Sequence, residues 1–330
     1  MVTLSDIRAA QSALHGIAVH TPLVRCFLGD DHELYLKPES FQPIGSFKLR
    51  GAYNKVASLP EEERRKGVIT YSSGNHAQGV AFAARALGVK SVIVMPANAP
   101  KVKVDATAAL GAEIIFVGAG SDERLKKAQE LAAEHGYAII PPYNDEKIIA
   151  GQGTVGLEIL EDLNDVDLVL CPIGGGGLLS GISSAIKLSG SRAKVVGVEP
   201  ENANDAQQSF RSGKVIAIPA ERATSTLADG LRTQSIGPIN FEHIRKYVDD
   251  VVTVSEAEIR ESMRRIVASA RLVPEPSGAV TFAAWAFHRA QLPEAHKVVA
   301  IISGGNVEPE LLAEILHCSS QQPVAGERFS

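Results

Sequence analysis

Four short stretches of this chain place glycines, small polar side chains and one lysine in arrangements suited to binding anions and reacting with carbonyls. The run Gly174-Gly175-Gly176-Gly177, followed by Leu178, stands directly after the apolar segment 167–173 and directly before a helical pattern. Without Cβ atoms, consecutive backbone N–H groups can converge on one point, and the following helix adds the positive end of its dipole. A plain strand-to-helix turn needs one or two glycines, so four in a row point to a phosphate. A dinucleotide fingerprint fails in every register: the sixth position is Leu179, Ser180 or Gly181, and the last of these follows a non-glycine third position. No Lys-Ser/Thr follows as a Walker loop requires. A phosphate monoester is the expected occupant.

The second stretch, Ser46-Phe47-Lys48, reads as a helix start with Ser46 as its cap and Lys48 in the first turn. A cation there opposes the helix dipole, which lowers the amine pKa and suits a nucleophile that forms Schiff bases. The alternative is an ordinary surface lysine. The third, Ser72-Ser73-Gly74-Asn75-His76-Ala77-Gln78, follows the apolar run 67–71 and is either a carboxylate grip at a helix start or a plain Ser/Asn cap. Val80 stands four residues after His76, so this is no metal-binding histidine pair. The fourth, Ser303-Gly304-Gly305-Asn306, again takes a strand into a glycine turn. Glu199 and Asp205, with Ala203 between them, suit either a hard cation or a solvated acidic loop.

These stretches need a scaffold, and the hydrophobic pattern supplies one. Apolar, β-branched runs at 67–71, 91–95, 113–117, 167–173, 194–199, 250–254 and 297–302 read as strands buried on both faces. Helical patterns at 76–87, 101–110, 122–135, 146–163, 178–189, 255–270 and 308–317 alternate with them. Such alternation predicts an α/β fold with mostly parallel sheets, in which ligands sit beyond the carboxyl ends of the strands. The 330 residues are 45% hydrophobic and 22% charged, enough apolar material for a sizeable core. Lys+Arg 33 against Asp+Glu 38, a net charge of −5, opposes a broad nucleic-acid footprint. No apolar run is long enough to span a membrane, and Asp6, Arg8 and His15 interrupt any secretory leader. Cys26, Cys171 and Cys318 form no CxxC pair, which predicts a reducing, cytoplasmic setting. The residues from His317 to the end look frayed.

Taken together, SFKLRGAYNKV, SSGNHAQGVA, IAGQGTVGLEILEDL, PIGGGGLLSG, VEPENANDAQQS, TLADGL and IISGGN resemble the fold-type II pyridoxal-phosphate (PLP) enzymes. More narrowly they are similar to the serine/threonine dehydratase–serine racemase group. The matches run in order from about residue 20 to about 306. The resemblance implies a tryptophan synthase β-like architecture with two open, twisted, mostly parallel sheets covered by helices. Residues 1–66 and 145–330 would form a large PLP-binding domain around a small inserted domain, 67–144. It implies that Lys48 carries PLP as an internal aldimine, with Phe47 on one ring face and Gly230 on the other. Gly174, Gly175, Gly176, Gly177 and Leu178 would hold the phosphate, Asn75 the 3′-oxygen, and Ser303 would face the ring nitrogen. Ser72, Ser73, Gly74, Asn75 and His76 would clasp the substrate carboxylate, Gln78 belongs to the same loop, and Ser235 would help position the substrate.

The activity so implied is elimination of the β-hydroxyl from L-serine- or L-threonine-type amino acids, giving 2-oxo acids and ammonia. A neutral hydroxyl at the ring nitrogen makes a weaker electron sink, which favours prompt elimination over a long-lived carbanion. Ser73 carries the alternative. A hydroxyl facing Lys48 across the cofactor could return a proton to the opposite side, as in a serine racemase or a 3-hydroxyaspartate dehydratase with racemase side activity. Arg124 and Arg232 are candidates for recognising a substrate carboxylate on the β-carbon. In this group Glu199, the Ala203 carbonyl and Asp205 imply structural Mg2+, and a homodimer is implied as well.

Overall fold

The protein is described by a computed structural model covering residues 1–27, 31–99, 101–118 and 121–317. Ten strands occur among these residues: β1 (Val24–Cys26), β2 (Glu33–Pro38), β3 (Val68–Thr70), β4 (Ser91–Pro96), β5 (Glu113–Val117), β6 (Ala138–Ile139), β7 (Leu168–Pro172), β8 (Lys194–Pro200), β9 (Asp250–Val254) and β10 (Lys297–Ile302). They form a six-stranded sheet ordered β1-β2-β10-β7-β8-β9 and a four-stranded sheet ordered β5-β4-β3-β6. Only the β1–β2 pair is antiparallel. The α/β class with two mainly parallel sheets follows directly. The four-stranded sheet draws only on strands between Val68 and Ile139, whereas the six-stranded sheet takes strands from either side of that stretch.

Both faces of the larger sheet are covered, as a parallel sheet requires. Leu168, Leu170, Val298, Ala300 and Ile302 face helices Glu256–Ala270 and Pro276–Phe287, with Met263, Phe282 and Trp285 in the same cluster. Val169, Cys171, Val299 and Ile301 face the opposite way, onto helices Glu146–Asp162 and Gly177–Leu188. Alternate residues of each strand therefore serve two separate cores.

Helix Glu146–Asp162 explains the glycines of IAGQGTVG. A Cβ at Gly151 would lie 2.7 Å from the Arg50 carbonyl oxygen and from the Gly51 Cα. On another face of the same helix, Gly153 abuts Gly181, where a Cβ would lie 2.5 Å from the Gly153 nitrogen. Helices Lys48–Ala57 and Gly177–Leu188 are thus both drawn against it, backbone to backbone.

Several elements escape the hydrophobic pattern. β5 is paired only with β4 and is half-exposed, with Phe116 53% exposed, so it is not buried on both faces. β2 carries Lys37 in its interior and so lacks an uninterrupted apolar run. Helix Pro276–Phe287 is buried nearly all round and shows no amphipathic period. The tail from residue 318 onward, with Cys318, lies outside the described residues. Cys26 and Cys171 are free and buried.

Lys37 belongs to a buried ion network that anchors the Lys48–Ala57 helix. Arg50 grips Glu39 through Nε and Nη2, each at 2.8 Å, and Glu158 through Nη1 at 2.5 Å and Nη2 at 2.9 Å. Lys37 Nζ adds a contact to Glu158 at 2.8 Å. The two carboxylates hold Arg50 firmly charged, and Arg50 in turn draws Glu39 below the usual carboxylate range despite its burial. Arg50→Ala leaves both acids short of a partner and should cost about 3–5 kcal/mol, read as a lowered urea midpoint. Arg65→Ala, which removes the exposed pair with Glu61, should cost no more than about 0.5 kcal/mol.

Candidate active site

Lys48 opens helix Lys48–Ala57, but Ser46 does not cap it. The Ser46 backbone instead forms a bridge to Gly304, and its Oγ is buried without a hydrogen-bond partner. Segment 44–47 is stitched along the glycine turn that follows β10. Phe47 N–H donates to the Ser303 carbonyl at 3.1 Å, and Gly305 N–H donates to the Gly45 carbonyl at 2.9 Å. Asn306 Nδ2 donates to the Ile44 carbonyl at 2.8 Å. Gly45 is required here: its φ is +71°, and a Cβ would fall 2.3 Å from Asn306 Oδ1. The second and fourth stretches are therefore one structure.

The Lys48 ammonium donates to the Pro142 carbonyl at 2.8 Å and lies 5.2 Å from the Phe47 ring centre. Its pKa is lowered to about 8, and the main cause is burial, with the Glu275 carboxylate pulling the other way. The helix end is not the dominant cause.

The next residue, Tyr143, lays its ring over the glycine turn. A Cβ at Gly175 would lie 2.2 Å from that ring. Gly176 sits in the left-handed region at φ +93°, immediately before the Gly177–Leu188 helix, whose N-terminus has no side-chain cap. The first-turn N–H groups stay available to an anion. Leu178 follows in that first turn and is buried. The Gly175 carbonyl accepts from Gly237 N–H at 3.1 Å, which brings Ser235 and its neighbours up to the turn. Gly230 N–H donates to Ser277 Oγ at 2.9 Å, and Ser303 Oγ makes a long 3.5 Å contact to the Ser277 carbonyl. Ser277 thus stands between Gly230 and Ser303. The residues present suit a phosphorylated aldehyde: an amine of lowered pKa, a side-chain-free turn and a buried hydroxyl.

The third stretch fronts helix Asn75–Ala86. Ser72, Ser73, Gly74 and Asn75 are all half-buried, and a Cβ at Gly74 would meet nothing within 4 Å. This loop opens onto free space. Asn75 Nδ2 donates to Glu275 at 2.9 Å, and Asn75 Oδ1 accepts from Asn306 at 2.8 Å. His76 differs from its loop neighbours: its ring is buried and Nε2–H donates to the Ile140 carbonyl at 3.0 Å. Burial and the Lys48 charge lower its pKa to about 3, so the ring is neutral and turned inward. Gln78 is buried in the same helix turn.

Two contributors were not visible in the sequence. Glu275 and Tyr143 carry no motif of their own, and Glu275-Pro276 signals only a helix start; Asn306 closes the fourth stretch, but its sequence context assigns it no role. Glu275 is buried, and burial together with the Asp229 charge pushes its carboxyl up to about 8. Burial likewise pushes the Tyr143 phenol up to about 12.

Glu199, near the end of β8, and Asp205, the first residue of helix Asp205–Ser212, lie close together, joined by the short turn that contains Ala203. Glu199 accepts N–H groups from Ala206 and Gln207 at 3.2 and 2.7 Å. Asp205 is fully buried, and neither of its carboxylate oxygens has a hydrogen-bond partner within 3.5 Å, although the Ile236 main-chain amide points toward it. Burial raises both acids, and the Asp205 charge raises Glu199 further. Two such carboxylates fit a hard cation better than solvent. Among the described residues no three His, Cys, Asp or Glu side chains are placed to hold a metal, so a carbonyl such as that of Ala203 and water would have to complete the shell. Arg232 is tied to the Thr226 carbonyl at 2.7 and 2.9 Å, whereas burial lowers the pKa of the half-buried Arg124. A cavity of about 370 Å3, bordered by His32, Asp167 and His296, lies at the amino ends of β2, β7 and β10. That is the sheet edge opposite the four stretches.

The glycine turn offers a direct test. Gly175→Ala forces the Tyr143 ring aside, an overpacking cost of about 1–3 kcal/mol, and should lower the melting temperature by several degrees. Gly74→Ala, facing free space, should melt with the parent protein.

Comparison with known proteins agrees with this geometry. A family described as pyridoxal-phosphate dependent enzyme matches residues 16–304. The catabolic L-threonine dehydratase of Escherichia coli is 43% identical over 318 residues, 95% of this chain and 96% of that protein. The L-threo-3-hydroxyaspartate ammonia-lyase of Saccharomyces cerevisiae is 41% identical over 324 residues, 97% and 98% of the two chains. The structure of maize serine racemase superposes with a TM-score of 0.91 at 36% identity, covering 95% of this chain and 96% of the other. Family match, whole-length relatives and the Lys48–glycine-turn geometry agree, and the chain belongs to the pyridoxal-phosphate dependent enzymes of fold-type II.

Proposed function

We propose that this enzyme is an ammonia-lyase that converts L-serine- or L-threonine-type β-hydroxy amino acids to 2-oxo acids and ammonia. The observation that carries the reading is one amine of lowered pKa that donates to the Pro142 carbonyl, beside the Tyr143 ring that covers the side-chain-free turn, in a residue whose backbone abuts the Asn75–Ala86 helix at Gly79. Bound PLP supplies an electron sink conjugated to the substrate Cα. Lys48 anchors the cofactor and, once its amine is free, takes the Cα proton, for which a pKa near the working pH is well matched. Gly174 to Gly177 and Leu178 would hold the phosphate, Phe47 and Gly230 would flank the ring, and Asn75 and Ser303 would address the 3′-oxygen and the ring nitrogen. Ser72, Ser73, Gly74 and Asn75 bind the substrate carboxylate, with Ser235 beside them. His76 supports the loop from beneath rather than touching substrate. Loss of the Cα proton and of the β-hydroxyl as water, then hydrolysis of the released enamine, yields the 2-oxo acid and ammonia.

A second reading rests on Ser73, whose hydroxyl stands half-buried beside the open Gly74. It could deliver a proton to Cα from the side opposite Lys48, giving a serine racemase or a 3-hydroxyaspartate dehydratase with racemase side activity. Arg124 and Arg232 are the candidates for recognising the latter's extra carboxylate. On either reading, the proposal includes structural Mg2+ at Glu199, Ala203 and Asp205, a homodimer and a cytoplasmic setting. Its domain division is a large domain of 1–66 and 145–330 around a small domain of 67–144.

Adding PLP to the apoprotein should produce a visible band, absent in Lys48→Ala. Because the Lys48 amine is uncharged only above a pKa of about 8, the initial rate of band formation should rise between pH 7 and 9 and then level off. A rate still climbing tenfold per unit at pH 10 contradicts the lowered pKa. Incubation with L-serine, L-threonine and the 3-hydroxyaspartate isomers should release ammonia, and chiral chromatography should show D-serine only if Ser73 racemises, with Ser73→Ala abolishing it. EDTA should lower the melting temperature and Mg2+ restore it, whereas Asp205→Asn should make the protein indifferent to both.

A further inference from the structure

We infer that Glu275 is a positioning residue that holds the Asn75 amide so that one of its N–H groups is presented to the 3′-oxygen of the cofactor. The inference rests on the reading that Lys48 binds PLP. Its basis is a chain of hydrogen bonds whose polarity is set at one end by a main-chain carbonyl. The Ile44 carbonyl can only accept, so the Asn306 group facing it at 2.8 Å must be its NH2. The same NH2 reaches Asn75 at 2.8 Å, so Asn75 must present its oxygen there. That turns the Asn75 NH2 toward Glu275, at 2.9 Å from Oε1 and 3.2 Å from Oε2.

A side-chain amide has two N–H groups. One N–H shared between the two oxygens of Glu275 satisfies both distances, and the other then remains for an acceptor on the open side of the loop. Without an acceptor at position 275, only Asn306 would orient the Asn75 amide, and its N–H would no longer be held in place.

Glu275 is itself well fixed. It is buried and directly precedes Pro276 at the start of helix Pro276–Phe287. A Cβ at Gly304 would lie 2.4 Å from its Oε1, so the carboxyl fits only because glycine is there. The Asn306 main-chain amide also points toward it. The polarity argument requires an accepting oxygen at this place and does not require a negative charge. Glutamine can therefore replace glutamate and alanine cannot.

The test compares the parent holoenzyme with Glu275→Gln, Glu275→Ala and Asn306→Ala, reading the position of the visible PLP band, PLP affinity by equilibrium dialysis, and melting temperature. Glu275→Gln should keep the parent band and bind PLP within about twofold. Glu275→Ala should shift the band and weaken PLP binding about tenfold, the worth of one hydrogen bond in a dry site. Asn306→Ala removes the other anchor and should shift the band in the same direction, which keeps the inference testable if Glu275→Ala fails to fold. A purely structural Glu275 would lower the melting temperature and leave the band in place, which overturns the inference. So does a glutamine variant that behaves like alanine, because charge would then matter rather than the accepting oxygen. A parent protein with no visible band overturns the Lys48 reading and this one with it, whereas a band unmoved by Glu275→Ala overturns this inference alone.

Discussion

Direct contact between helix backbones brings a lysine amine up to a glycine turn that lies far from it along the chain. Helix Glu146–Asp162 touches the Lys48–Ala57 helix at Gly151 and the Gly177–Leu188 helix at Gly153 and Gly156. Any side chain at these points would separate helices that now meet at main-chain distance, and each separation would carry a catalytic element with it. The Arg50 network fixes the same helix pair, because Arg50 lies two residues beyond Lys48 and Glu158 lies on the partner helix. Glycine contacts set the distance between the helices, and the buried ion pairs resist sliding between them. Such a network adds little net stability relative to an apolar core, but its breakage is costly, which suits a registry role.

The same scaffold controls the electrostatics. Lys48, His76 and Glu275 are all shifted toward their neutral forms, and in each the largest cause is burial. Neutrality serves each one differently. An uncharged amine can attack a carbonyl, an uncharged imidazole can lie beneath a loop as a rigid donor, and a carboxyl in either protonation state keeps an oxygen that accepts. The site therefore depends on a poorly solvated interior at the carboxyl ends of the strands, where loops from both sheets converge.

Much of this organisation can be read from residue types. Consecutive glycines after an apolar run announce an anion turn because no other residue lets successive N–H groups point one way. The alternation of β-branched and helical segments announces parallel sheets because both strand faces must be covered. By contrast, β2 was hidden by Lys37, whose charge is legible as buried only once Glu158 is seen beside it. Helix Pro276–Phe287 was hidden by being apolar all round, and β5 read as buried although it turned out to be an edge strand.

What the amino-acid order determined was local: which of the regularly patterned segments are strands or helices, where the backbone is bare enough to receive a phosphate, and which lysine opens a helix. What the tertiary structure decided was partnership. That Ser46 bridges to Gly304 instead of capping a helix, that His76 faces Ile140, and that Glu275 and Asn306 meet across Asn75 all depend on contacts between distant segments. Local conformational preference is written within a few residues of each position. The solvation and hydrogen-bond partners of a buried group are set by whatever chain the fold brings against it.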